Sequence, residues 1–329
     1  MKPASGYARL PAKIASRLSV PLVVAPMLRV SGPDLVIASC RAGAIGAFPT
    51  KNARSVEELD AWLQKIEAAA RDSPRPVAPH CPNIIMRNDE LMAHVDCVNR
   101  HGVELVITSV GSPAPVVKPF HDHGCLVFAD VATLRHAERA VEAGVDGLVL
   151  LTAGAGGQTG WLNPFAYVRV IRRFFDGPIV LAGGMIDGHA IWAAEVLGCD
   201  LAYMGTKFIA TAESMATDSY RDMLVNSTMD DVILTRNFTG LQTNILRPSV
   251  VAAGLDPNSL DEGMTVAKSR EKYGGDAPGT GPKRWTDIRS AGHSVSGVQS
   301  VISAGELVEM TRTEYEAARR GFPTELMHG

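Results

Sequence analysis

Eight short apolar runs, each followed by a more polar stretch, constrain this chain more than any other feature. They are Val20–Ala25, Ala44–Phe48, Pro76–His80, Leu105–Ser109, Leu126–Asp130, Gly147–Leu151, Ile179–Ala182 and Leu201–Met204. The runs are near-continuous rather than alternating, which is the pattern of strands covered on both faces in a parallel sheet. Between them the sequence predicts helices over Pro33–Arg41, Ser55–Ala70, Asp89–His101, Pro115–His123, Ala132–Ala143, Pro164–Phe175 and Gly188–Leu197. Ser55 followed by Glu58 is a capping-box start. Ala143–Asp146 and Leu197–Asp200 each leave a helix through a glycine suited to a left-handed cap. Strand-plus-helix units in this number predict an α/β fold, a (β/α)8 TIM barrel. A doubly wound open sheet is the structural alternative, because element order alone does not separate the two.

After Met204 the rhythm stops. Residues 212–290 read as a smaller, mainly helical cap or lid, with helices over Ser214–Ser227 and Arg247–Gly254 and a Gly/Pro-rich tract, Tyr273–Pro282. The expected organisation is a barrel over 1–211, a cap over its mouth at 212–290, and C-terminal helices at 291–329 packing back on the barrel. The closing helices are expected over Gly297–Met310 and Thr313–Arg320.

Charge and composition narrow the function. Lys+Arg 32 against Asp+Glu 35 gives a net charge of -3, without the basic surplus of a nucleic-acid binder. No apolar run approaches the roughly 18 residues of a membrane span. The start of the chain carries Lys2, Arg9, Lys13 and Arg17 before a short apolar stretch, so no signal peptide is read and a cytoplasmic location is expected. The 5 cysteines are scattered, odd in number and free of C-x-x-C spacing, which argues against a disulfide framework or a metal site.

In a barrel the chemistry gathers where strands exit at their C-terminal ends. The exits here include Ala25-Pro26-Met27, His80-Cys81-Pro82-Asn83, Asp130, and the loop Thr152–Gly160 with its four glycines between Gly154 and Gly160. The last two exits, Ala182-Gly183-Gly184 and Met204-Gly205-Thr206, are both glycine-bearing. Open backbone at this corner, followed by a short helical segment over Lys207–Thr211, predicts a phosphate site. The loop after the sixth strand is neither a dinucleotide fingerprint nor a P-loop.

Read together, Val24-Ala25-Pro26-Met27, Ala42-Gly43-Ala44-Ile45-Gly46, Ala153–Gly157, Leu181–Gly184 and Tyr203–Phe208 resemble the nitronate monooxygenase (2-nitropropane dioxygenase) family. Leu246-Arg247-Pro248-Ser249, Trp285 and Ser290-Ala291-Gly292 are similar to its cap and closing segments, so the resemblance runs from Pro21 to Tyr315. It implies an FMN-binding TIM barrel and a flavoprotein oxidoreductase. Pro26 and Met27 would lie beside the isoalloxazine ring, and Asn83 would hydrogen-bond it. Gly156, Gly157, Gly183, Gly184, Met204, Gly205 and Thr206 would surround the phosphate and ribityl chain. Asp130, at the exit of the fifth strand, is a further candidate, to bind a ribityl hydroxyl of the cofactor, to anchor a helix or to bind substrate.

Two residues depart from the family pattern. Gln158 stands where members commonly carry the catalytic histidine, and an amide does not accept a proton from a carbon acid. His293 stands where relatives often carry glutamine. Gln158 is therefore expected to anchor a substrate that is already an anion, an alkyl nitronate oxidised with O2. His80 and His293 are the candidate replacement bases. A flavin enoyl-thioester reductase or related dehydrogenase using NAD(P)H is the alternative, followed by a barrel that binds a phosphorylated metabolite without flavin. The partners expected are a small-molecule substrate and O2 or NAD(P)H, with no nucleic acid and no membrane. A homo-oligomer is compatible with the sequence.

Overall fold

Eight parallel strands close on themselves in the computed structural model, which describes residues 9–274 and 281–321. The barrel strands are β1 Leu22–Val24, β2 Ile45–Pro49, β3 His80–Ile85, β4 Leu105–Ser109, β5 Leu126–Val131, β6 Gly147–Leu151, β8 Ile179–Ala182 and β9 Leu201–Met204. Closure is made by β9 against β1, with Leu22, Val23 and Val24 opposite Ala202, Tyr203 and Met204. The fold is thus a (β/α)8 barrel, and the open-sheet alternative is excluded.

Residues of each strand alternate between two cores. Val23, Ile45, Ala47, Cys81, Leu105, Ile107, Phe128, Val149, Val180 and Leu201 fill the lumen. Their neighbours along the chain, such as Val24, Val106, Val127 and Leu148, face the outer helices. Both sides of the wall are apolar, which explains the continuous runs.

The helices are α1 Ala12–Ala15, α2 Pro33–Ala42, α3 Val56–Arg71, α4 Leu91–Arg100, α5 Ala114–His121, α6 Leu134–Glu142 and α7 Pro164–Ile171. They continue with α8 Gly188–Leu197, α9 Thr206–Ile209, α10 Asp218–Val225, α11 Arg247–Ala252, α12 Val266–Tyr273 and α13 Ala304–Arg320. The helix after β9 is a single turn, too short to cover the wall. Instead α13 packs against α8 and α2 and closes the outer ring. It is one helix where the sequence predicts two; Ser303 caps it by accepting from the Glu306 N–H at 3.1 Å, and residues 293–297 form a separate 3-10 turn.

Residues 212–290 are not purely helical. They contribute β10 Val232–Thr235 and β11 Thr243–Leu246, which form an antiparallel sheet with β7, Gly157–Gln158, from the loop after β6. Of the expected Gly/Pro tract Tyr273–Pro282, residues 275–280 lie outside the described part of the chain. No described helix is long and apolar enough to cross a membrane.

One strand differs from expectation in a way that matters. Pro82 lacks an N–H and reads as a strand boundary. The barrel carries β3 through it, with Pro82 opposite Phe48. The strand therefore begins at His80 instead of ending there. On the α3–α4 surface, His101 bridges Glu67 at 2.7 Å and Asp60 at 3.0 Å. Its donor atoms, with those of Asp60 and Cys97, lie within 4.8 Å of one another, a convergence that the cysteine spacing does not reveal.

At the N-terminal end of the barrel, Asp200 is almost completely buried. It accepts from Arg172 Nη2 at 2.5 Å and from the Ile179 N–H at 2.9 Å. Arg172 also donates to the carbonyls of Gly198 and Gly177, so it ties two crossovers to β9. Arg9 Nη1 reaches the other oxygen of Asp200 at 3.4 Å, so Arg172 is the nearer of two guanidinium partners and its loss weakens the compensation of a buried charge. Arg172→Ala is expected to cost about 1–3 kcal/mol of unfolding free energy, measured by denaturant titration.

Candidate active site at the barrel mouth

Strand alternation dictates what lines the mouth. Asn83 on β3 is in phase with Cys81, Asp130 on β5 with Phe128, and Tyr203 on β9 with Leu201. All three stand one layer above the apolar lumen, at the C-terminal end. Asn83 is tied to the wall: its Nδ2 donates to the Ile107 carbonyl at 3.2 Å, and its Oδ1 accepts from Ser109 Oγ at 3.1 Å. The amide thus presents an oriented edge, with a second N–H remaining. Asp130 and Tyr203 differ. Asp130 Oδ1 and the Tyr203 hydroxyl are buried with no hydrogen-bond partner. Burial pushes the Asp130 carboxyl up to about 7. Tyr203 is pushed well above the ordinary phenol value by burial and then by the nearby Asp130 and Cys81.

The loop after β1 is fixed from beneath. Asn52 Nδ2 donates to the carbonyls of Met27 at 2.9 Å and Ser31 at 2.8 Å, and Ser31 Oγ accepts from the Met27 N–H at 3.0 Å. Pro26 and Met27 are half-buried at this rim. A Cβ at Gly205 would lie 3.4 Å from Met27 Sδ, so the first and last barrel exits meet.

The glycine-bearing corner has a packed side and an open side. Gly183 has φ +118°, and a Cβ there would sit 2.4 Å from Thr152 Oγ1. Gly184 has φ +72° with nothing within 4 Å of its Cβ position. On the packed side, Thr206 Oγ1 accepts from the Gly292 N–H at 2.9 Å. A Cβ at Gly156 would lie 2.8 Å from the same nitrogen. Thr206 keeps its hydroxyl proton free to donate elsewhere. Lys207, partly buried, donates to the Ile186 carbonyl at 2.9 Å and ties the β8 exit to α9. Met204, expected beside the phosphate, is corrected: its side chain is buried in the wall and faces the outer core, and its backbone pairs with β1.

The loop after β6 is held by the cap. Gln158 pairs with Thr243 and Gly157 with Asn244, while Asn244 Nδ2 donates to the Ala155 carbonyl at 2.7 Å. Gln158 and Gly157 are half-buried. The His293 N–H donates to the Gly154 carbonyl at 2.9 Å, and a Cβ at Gly154 would lie 2.9 Å from His293 Nδ1. His293 is therefore brought to the same loop as Gln158, with its side chain exposed.

His80 is not. It enters β3 at the opposite end of the barrel, beside Ile37, Cys40 and Ile66 of α2 and α3. Burial holds it down at about 4, and its Nε2 has no partner. The assignment of His80 as a mouth base is corrected: it is a neutral ring under the outer helices. Cys81 faces the lumen and burial pushes its thiol far up, so it is not a nucleophile. Tyr203, Ser109 and Asn244 escape a reading by sequence; the alternation Leu201-Ala202-Tyr203 is the one signal that points Tyr203 inward.

The nitronate monooxygenase family profile matches residues 11–312. A Mycobacterium tuberculosis protein named (3aS,4S,5R,7aS)-5-hydroxy-7a-methyl-1-oxo-octahydro-1H-indene-4-carboxyl-CoA dehydrogenase is 25% identical over 253 residues, covering 75% of this chain and 68% of its own. A nitronate monooxygenase of Paraburkholderia phytofirmans is 25% identical over 282 residues, covering 73% of this chain and 76% of its own. The structure of FabK from Thermotoga maritima superposes with a TM-score of 0.74 at 19% identity, covering 94% of this chain and 98% of that one, and shares the fold.

The two exit glycines are expected to respond differently to substitution. Gly183→Ala meets both strain and a clash, whereas Gly184→Ala meets strain alone. Thermal melts should place Gly183→Ala well below Gly184→Ala.

Proposed function

This chain belongs to the nitronate monooxygenase family, a family of oxidoreductases, and from that premise we propose that it is an FMN-dependent enzyme that oxidises alkyl nitronates with O2. The support for a flavin is the coexistence, at one mouth, of open glycine backbone at the β8 exit and two buried polar groups left without partners, Asp130 and Tyr203. A planar, acceptor-rich ring carrying a phosphate tail is complementary to both. Pro26, Met27, Asn83 and Asp130 would hold the ring. Gly156, Gly157, Gly183, Gly184, Gly205 and Thr206 would border the ribityl phosphate, with the Thr206 hydroxyl proton available as a donor. Bound there, FMN supplies the electron transfer between substrate and O2.

The chain's own residues then decide which substrates react. Gln158 offers an amide that donates to a nitro oxygen and orients an anion, but it does not remove a proton from carbon. A nitronate arrives deprotonated and needs no base. A neutral nitroalkane does, and a positioned base typically contributes about 10²–10⁴-fold. His293 is the histidine that the fold brings to the Gln158 loop, and it is exposed rather than enclosed with the mouth groups.

A second reading has its own support. The Mycobacterium tuberculosis relative is named for a carboxyl-CoA substrate. A thioester dehydrogenase or NAD(P)H-dependent enoyl-thioester reductase on the same flavin site would use the hydrogen-bonding amide of Gln158 on a carbonyl oxygen.

Purified protein is expected to be yellow and to release FMN on denaturation. Ethylnitronate should be oxidised at least about 100-fold faster than neutral nitroethane at equal concentration. Gln158→His should raise the nitroethane rate while leaving the ethylnitronate rate within a few-fold. Equal rates on the two substrates in the parent protein would refute the role given to Gln158. Rapid anaerobic bleaching by NADH or NADPH, with none by ethylnitronate, would favour the second reading.

A further inference from the structure

Among the described residues of the mouth, Asp130 and Tyr203 each carry a buried oxygen left without a partner. Asp130 Oδ1 and the Tyr203 hydroxyl have no partner, while Asn83 beside them is anchored to β4. What surrounds Asp130 explains its state. Adjacent β4 presents Ile107 and Ser109 to the interior, and adjacent β6 presents Val149 and Leu151. From β3 comes Cys81, and from β9 Tyr203; both feel the Asp130 charge. Both are acids, and no described cation offsets the burial of the Asp130 carboxyl. Ionised, this half-buried carboxylate would have no counter-ion and no donor to its buried Oδ1 among the described residues, whereas the neutral acid becomes a donor itself.

We propose that Asp130 enters the ligand complex as a neutral carboxylic acid and, together with Tyr203, donates hydrogen bonds to acceptor atoms of the flavin ring, so that ring binding is coupled to one proton on Asp130. This rests on the flavin reading above. Flavin presents carbonyl oxygens and ring nitrogens along its polar edge. A carboxylate facing them sets acceptor against acceptor; a carboxylic acid and a phenol satisfy them. The sign follows. Ligand binds the protonated form, so affinity is full below the Asp130 pKa and falls as pH rises through it. The pair acts as a positioning device for the ring and takes no part in bond breaking.

Riboflavin is the probe, because it carries the ring without a titrating phosphate. Its Kd for the apoprotein is measured by fluorescence quenching between pH 6 and 9. The expected profile is flat below about pH 7 and weakens by about tenfold per pH unit above it. Calorimetry at pH 8 in buffers of different ionisation enthalpy should show uptake of about one proton. Asp130→Asn, close in shape and unable to ionise, should flatten the profile and abolish proton uptake. Tyr203→Phe should weaken binding at every pH and keep the slope. A flat profile in the parent protein, or an unchanged slope in Asp130→Asn, overturns the proton coupling while leaving a flavoprotein. Failure of both riboflavin and FMN to bind at any pH overturns the flavin reading, and the coupling with it. Proton uptake needs only the parent protein, so the test stands even where a variant folds poorly.

Discussion

Hydrogen bonding between β9 and β1 closes the barrel, and the geometry of the mouth follows from that closure. With Val23 opposite Tyr203 and Val24 opposite Met204, each strand is locked in register against two neighbours. A period-two strand in a locked register has no freedom to choose which residues face in. Val149, Val180 and Leu201 must fill the lumen, and Leu148, Leu181 and Ala202 must meet the helices. The same rule lifts Asn83, Asp130 and Tyr203 to the rim above an apolar plug. A polar rim above a dry floor concentrates hydrogen-bonding power where solvent is scarce.

The two ends of the barrel handle charge in opposite ways. At the N-terminal end, buried Asp200 has two guanidinium groups, Arg172 and Arg9, and a backbone N–H as partners. At the C-terminal end, half-buried Asp130 has a buried Oδ1 with no partner among the described residues. A protein that compensates a buried carboxyl fully and leaves a half-buried one without a protein partner is stable at the first site and receptive at the second. The loops around the rim show the same division. Asn52, Lys207 and Asn244 fasten three of them by hydrogen bonds to backbone carbonyls, and the open space is left at Gly184.

The repeating pattern of apolar runs made the barrel legible, because burial on both faces demands it in every strand. Boundaries were less legible where one residue argued against its context. Pro82 lacks a donor and reads as a strand end, yet its neighbours in the closed ladder hold β3 to Ile85. That shift of one strand-length moves His80 from the mouth to the base. The role of α13 was likewise hidden. Its amphipathic face is visible in the sequence, but that it substitutes for a crossover helix after β9 depends on α9 being a single turn. The cap sheet is short throughout: β7 is two residues long and β10 and β11 four each, too short to carry a clear period.

Local order along the chain fixes the strand-and-helix succession, the glycine-bearing exits, the glutamine at position 158 and the family. These are properties of local order, and each can be read within a few residues. Tertiary structure alone decided which polar groups are left without partners. Asp130 and Tyr203 are 73 positions apart in the chain. Whether a carboxyl so placed is paired, solvated or sealed depends on every strand that closes around it, and no local pattern encodes that sum.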